Sequence, residues 1–224
     1  MVRGEWERSL TQLGVMSELD ALTLPTAHLY RSAIQTEPLR AAVFAGRRSP
    51  LIFGEPPSWI AMLVQALALD GQGEYAGASD LRAQALEAAA AVAGRINGEP
   101  FEWLADADSR LGPVLEAVIN GAYYWVPFER IKQARVHAPE DLRDLVWLTV
   151  DFTWANDGQT SGLVPVRYHG TESAADDRLR LARLTEWDEE EGRGAIGLGQ
   201  RVWVTEANEY AILDVRELEF GGRP

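Results

Sequence analysis

The chain has 224 residues, 46% of them hydrophobic and 25% charged, with no cysteine and a formal net charge of −13. This is a globular composition, long enough to bury roughly 70% of its unfolded surface. It excludes a disulfide scaffold, a thiol nucleophile and thiolate metal sites, and its acidity argues against nucleic-acid partners. The longest apolar stretch, Trp59 to Leu69, is interrupted by Gln65 and falls short of the ~20 residues a membrane span needs. The start of the chain shows neither an apolar core nor a small-residue cleavage site, so a cytoplasmic protein with no membrane partner is expected.

Composition changes near Gly94. Residues 1–95 hold 8 basic and 10 acidic side chains, whereas residues 96–224 hold 13 and 24, together with six of the eight Trp. The expectation is an α+β chain with two domains: a helical part over 1–95 and a strand-rich part over 96–224.

Trp6, Leu10, Leu13 and Met16 recur at helical steps and form one apolar stripe. Pro25-Thr26 opens a second helical segment, and the pattern leaves open whether it continues through Glu37-Pro38 or breaks there. Residues 46–57, with three Pro and two Gly, predict a loop. A helix from Pro57 or Ser58 to Leu69 follows, then a turn at Asp70-Gly-Gln-Gly. A long Ala-rich helix over Glu74 to Val92 ends at Gly94, read as its C-terminal glycine. Gly4-Glu-Trp-Glu-Arg-Ser9 and Gly73-Glu-Tyr-Ala-Gly-Ala78 share a Gly, acid, aromatic, small pattern, the turn signature of a tetratricopeptide-type repeat. Two unrelated helical hairpins would account for the same residues. If Gly4 closes a repeat's internal turn, the preceding helix is missing. The chain is then expected to be truncated, with the Trp6 and Leu10 face bare.

The second half reads as short antiparallel strands around turns. Val114–Ile119 and Ala122–Val126 flank Asn120-Gly121, a strong hairpin signal. Arg130–His137 continues as a strand, and Ala138 to Leu145 begins as a helical turn. Val146–Trp154 pairs with Leu163–Tyr168, and Arg178–Leu184 alternates charged and apolar residues in the manner of a strand. Arg201–Thr205 and Tyr210–Val215 form the last hairpin. A small twisted sheet or partly open barrel is expected.

The catalytic templates fail one by one. Gly192-Arg-Gly194-Ala-Ile-Gly197 matches the dinucleotide fingerprint in letters, but it follows four acids and leads into a strand rather than a helix. Asp106-Ala-Asp108 offers two carboxylates, yet Arg110 stands where a calcium loop needs a third ligand, so a polar network of Asp106, Asp108 and Arg110 is favoured over a metal. His28, His137 and His169 are far apart, and no G-x-S-x-G elbow occurs. The dense aromatics from Phe101 to Trp154 read first as core. A sharper reading makes Trp103, Tyr123 and Trp125 anchors of a peptide-binding face. No catalytic residue, metal or cofactor is assigned.

The run from Pro100-Phe-Glu-Trp103 through Asp106-Ala-Asp-Ser-Arg110 and Ile119-Asn-Gly-Ala-Tyr-Tyr-Trp125 to Phe128 resembles the ImpE/TagJ family, accessory proteins of bacterial type VI secretion. So do Ala45–Pro56, Pro139–Trp147 and Leu179–Trp187. The resemblance covers nearly the whole chain, apart from a helical stretch that family members carry before Gly4. It implies a helical, repeat-like N-terminal part and an α+β C-terminal part. It also implies a non-enzymatic adaptor that binds a helix near the N-terminus of the sheath small subunit and, through it, meets the AAA+ ATPase that recycles contracted sheath. A helix-in-groove mode would use the stripe of Trp6, Leu10 and Leu13. Two competitors remain: an enzyme with Asp106, Asp108 and Arg110 in a cleft lined by Trp103 and Tyr123, and a self-associating structural protein with a homo-oligomeric interface.

Overall fold

The computed structural model describes residues 1–188 and 193–221. Four helices lead: α1 (Trp6–Leu19), α2 (Leu24–Phe44), α3 (Ser58–Gln72) and α4 (Tyr75–Ala88), with one further turn, α5 (Asp177–Arg180). The strands are β1 (Leu51–Ile52), β2 (Gly94–Ile96), β3 (Glu99–Phe101), β4 (Ala105–Asp106), β5 (Val114–Ile119), β6 (Ala122–Pro127) and β7 (Ile131–Val136). They continue with β8 (Trp147–Trp154), β9 (Gln159–Pro165), β10 (Thr185–Asp188), β11 (Ile196–Gly199), β12 (Val202–Val204), β13 (Glu209–Ala211) and β14 (Glu217–Phe220).

Among the described residues, nine strands form one sheet in the order β1-β6-β5-β9-β8-β7-β14-β2-β3, antiparallel except where β1 joins β6. A three-stranded sheet, β13-β12-β4, and a hairpin, β10-β11, accompany it. The architecture is α+β, with helices first and an antiparallel-rich sheet after them. The Asn120-Gly121 hairpin forms as predicted, with positive φ at both residues (50° and 78°), as a type I′ turn demands.

β5 is buried on both faces, because the sheet carries an apolar layer on each side. On one side Leu115, Ala117 and Ile119 pack with Phe128, Phe152, Trp203 and Leu218. On the other, Val114, Tyr123 and Trp125 lie under Phe44, Trp59, Ile60 and Leu63, while Val118, Trp147 and Leu163 lie under Leu13, Tyr30 and Ile34. The helices therefore cover one face of the sheet. α2 runs unbroken through Pro38. Pro38 sits on the exposed side of the helix, away from the face packed on the sheet.

Several expectations need correction. The 46–57 segment is not only loop, since Leu51 and Ile52 pair with Tyr124 and Trp125. α3 continues through Gln72, and the chain turns at Gly73 (φ +80°), whose N–H bonds to the Asp70 carbonyl while Glu74 N–H bonds to that of Leu69, a Schellman closure. α4 stops at Ala88. Gly94 is not its cap but a strand residue, where a Cβ would lie 2.1 Å from the Glu219 carbonyl oxygen. Tertiary pairing of β2 with β14 outweighs the helix propensity of the alanines. Arg178–Leu184 is not a strand, because Asp176 accepts the Arg178 N–H at 2.7 Å and caps a single helical turn. The two repeat-like pieces do match locally: Gly4 and Gly73 have positive φ, Trp6 and Tyr75 begin helices, and Ser9 and Ala78 are buried.

Candidate functional site

The predicted anchors separate into buried and exposed sets. Tyr123 and Trp125 are 1% and 0% exposed and form the floor beneath α2 and α3, so neither offers itself to a partner. The sequence placed them correctly on one face, but only the packed helices show that this face is covered. The Trp6, Leu10 and Leu13 stripe also turns inward. Leu13 is buried, Trp6 and Leu10 are half-buried against the same cluster, and the Trp6 ring lies 5.7 Å from that of Trp147. The face expected to be bare is packed against the chain's own sheet. Trp103 alone of the six is substantially exposed, at 38%.

The acidic motif lies in a sealed network. Asp108 is fully buried and its carboxylate takes Arg110 Nε at 2.8 Å and Nη2 at 2.5 Å, with the Arg110 and Gly197 backbone N–H groups at 3.0 Å each. Asp106 accepts the Asp108 N–H at 2.9 Å and lies 3.4 Å from Arg201 Nε. Burial pushes the Asp106 carboxyl up to about 7 against the pull of Arg201. Next to this pair stands a residue the sequence reading missed, Glu116, which is fully buried. It accepts Arg40 Nε at 2.7 Å and Nη2 at 3.1 Å, the Tyr123 hydroxyl at 2.5 Å, and the Arg201 guanidinium. Burial opposes its charge, but Arg40 and Arg201 outweigh that and hold it well below the usual carboxylate range. Its one sequence signal was an acid at an inward position between Leu115 and Ala117.

His169 stacks on Phe44 with ring centroids 5.2 Å apart, and burial lowers its pKa to about 4. Arg110 lies over the other partner of that stack, 4.8 Å from the Phe44 centroid. These ionisable groups face one another, and Arg40 also borders a small hollow with Glu37, Arg167 and Glu172. Gly192, with Glu189 to Glu191, lies outside the described residues, while Ile196–Gly199 after Gly194 is strand β11 and not a helix.

An apolar concavity lies elsewhere. A groove of about 260 Å³ opens between the end of α4 with its extension and the segment leading into β4. Trp59, Leu86 and Val92 line one wall, Trp103, Leu104 and Phe128 the other, and Glu129 is its one ionisable lining residue. Leu86 is 42% exposed. Gly112 makes room for it, since a Cβ there would come 2.4 Å from Leu86 Cδ2. The Trp103 loop is pinned from the other side by the Glu206 carboxylate, which accepts the N–H groups of Glu102 and Trp103 at 3.0 and 3.5 Å.

Residues 98–219, more than half of the chain, match the family described as "ImpE protein". The chain is 51% identical over 219 residues, 98% of its own length and 76% of the relative's, to the "Type VI secretion system accessory component TagJ" of Pseudomonas aeruginosa. The chain belongs to the ImpE/TagJ family. A crystal structure of protein VPA1032 from Vibrio parahaemolyticus shares its fold, with a TM-score of 0.84 at 24% identity over 99% of this chain and 83% of that one.

In this ImpE/TagJ chain, the family-like run from Pro100 to Phe128 supplies both the buried carboxylates and the outer wall of the groove. A Ser, Asp and His grouping among the described residues is of a different kind. Asp151 takes Ser161 Oγ at 2.5 Å and His137 Nε2 at 2.8 Å on an exposed stretch of sheet. The hydroxyl therefore meets the carboxylate and not the imidazole that would have to deprotonate it.

Proposed function

We propose that this ImpE/TagJ chain is a non-enzymatic adaptor of a type VI secretion system. It binds the N-terminal helix of the sheath small subunit and so brings the sheath to the AAA+ ATPase that recycles it, in the cytoplasm. The observation that carries this reading is the 51% identity, over nearly the whole chain, to a protein named as an accessory component of that system. The site geometry supports the non-enzymatic part. An acid–base residue needs access to substrate, whereas Asp106 and Asp108 are buried and Arg110 occupies both oxygens of Asp108. The apolar groove, at about 260 Å³, suits side chains presented from outside. Titration of the chain with a synthetic peptide of its cognate sheath small subunit's N-terminal helix, followed by calorimetry, tests the reading. Saturable binding supports it, and no binding overturns it.

A further inference from the structure

We infer that the groove between α4 and the Trp103 loop is the docking surface, and that it takes an amphipathic helix whose apolar stripe is flanked by Lys or Arg. The inference rests on the adaptor reading and adds to it the surface and the chemistry of the segment. Three observations converge. The walls are aromatic and aliphatic, with Trp103 and Leu86 both open to solvent, the type of anchor that dominates binding energy at interfaces. Both walls are held before any partner arrives: Leu86 on α4 seats over Gly112, and Glu206 fixes the Trp103 loop. The surroundings are acidic. Glu129 lines the groove with Arg130 Nε 3.7 Å from its carboxylate, and the exposed Glu87 and Glu102, next to Leu86 and Trp103 in sequence, add two further acids within a chain whose net charge is −13.

The same place disfavours an extended peptide. The neighbouring edge strand is β3, and its central residue is Pro100, which has no N–H to offer an added strand. A helix needs no such edge. Its side chains at i and i+3 or i+4 stand side by side on one face, so two of them can enter a short groove while basic neighbours reach the glutamates.

The experiment uses the full chain and the sheath-helix peptide, with folding of each variant checked by circular dichroism. Trp103→Ala, and separately Leu86→Ala, should weaken binding roughly tenfold or more. Glu102→Lys should weaken it severalfold and flatten its salt dependence. A peptide with its Lys and Arg replaced by Gln should likewise bind severalfold more weakly. Leu19→Glu, on the exposed α1–α2 turn where Leu19 is 82% exposed, should bind as wild type. If the wild type binds and both groove variants match it, the groove assignment falls and the adaptor reading stands. Loss with Leu19→Glu alone would move docking to the α1–α2 turn and overturn the assignment. Undiminished affinity for the uncharged peptide would overturn the basic flank. No binding by the wild type would overturn the adaptor reading, and the docking surface with it.

Discussion

Glu116→Gln isolates the buried charge cluster that joins the helices to the sheet. The native carboxylate satisfies Arg40 through two hydrogen bonds, Tyr123 through a third and Arg201 through a fourth. A glutamine offers one acceptor oxygen, and its NH₂ must face a donor. Two guanidinium groups are then left in a dry joint, with Glu37 3.8 Å from Arg40 and Asp106 3.4 Å from Arg201 as the anions still in reach. Burial raises the pKa of both those carboxyls, that of Asp106 to about 7. Removing one partner of a buried ion pair costs about 3–5 kcal/mol. For a chain of this size, each kcal/mol lowers Tm by roughly 2–4 °C, giving a fall of roughly 6–20 °C. Urea unfolding followed by Trp fluorescence, with thermal melts by circular dichroism, measures the loss. A destabilisation under about 1 kcal/mol would refute the assignment of Glu116 as the anion that neutralises this joint.

Two further changes probe the same region. Asp108→Ala leaves Arg110 buried without its bidentate partner and should cost about 3–5 kcal/mol, while the folded fraction keeps its affinity for the sheath-helix peptide; an unchanged melt with lost binding would contradict the structural role. His169 has a folded-state pKa of about 4 against an ordinary 6.5, so the folded chain binds fewer protons than the unfolded one between those values. Stability then falls as pH drops from about 6.5 to 4, by up to about 3 kcal/mol from this group alone. His169→Phe should remove that share of the acid sensitivity, and denaturant midpoints with the same pH slope as wild type would rule it out.

What could be read from the sequence was local. Asn120-Gly121 required positive φ at two adjacent residues, and no distant contact was needed to see the hairpin. The Asp108–Arg110 pair was likewise legible, because the two side chains meet across one intervening residue. Gly94 was misread because its reason lies in Glu219, on a strand at the far end of the chain. β2, β3 and β14 are three to four residues long, too short for an alternation to register. Leu86 gave no signal, since its exposure beside buried Ala85 becomes visible only once the Trp103 loop faces it. Tyr123 and Trp125 show the limit most plainly: alternation places them on one face, but whether that face meets solvent is decided by α2 and α3.

Charges in the joint between helices and sheet need a reason, because a buried ion pair is often no more stabilising than well-packed apolar residues. The geometry suggests orientation. An apolar joint lets a helix settle in several registers, whereas Glu116 accepts α2 only where Arg40 reaches it with both Nε and Nη2, and Arg40 also donates to the Arg167 carbonyl at 2.9 Å. The triple variant Arg40→Met, Glu116→Leu, Arg201→Met separates the two roles. The Glu37 and Asp106 carboxyls lose their cations, but burial already favours their neutral forms, so the variant should melt near wild type and well above Glu116→Gln. If the cluster sets the seating of α2, methyl NMR spectra of that variant should show broadened or doubled signals from Ile34 and Val43, buried residues of α2 that pack onto the sheet. Sharp, single signals at wild-type stability would show that apolar packing alone fixes the joint. Melting below Glu116→Gln would show instead that the ion pairs themselves carry net stability.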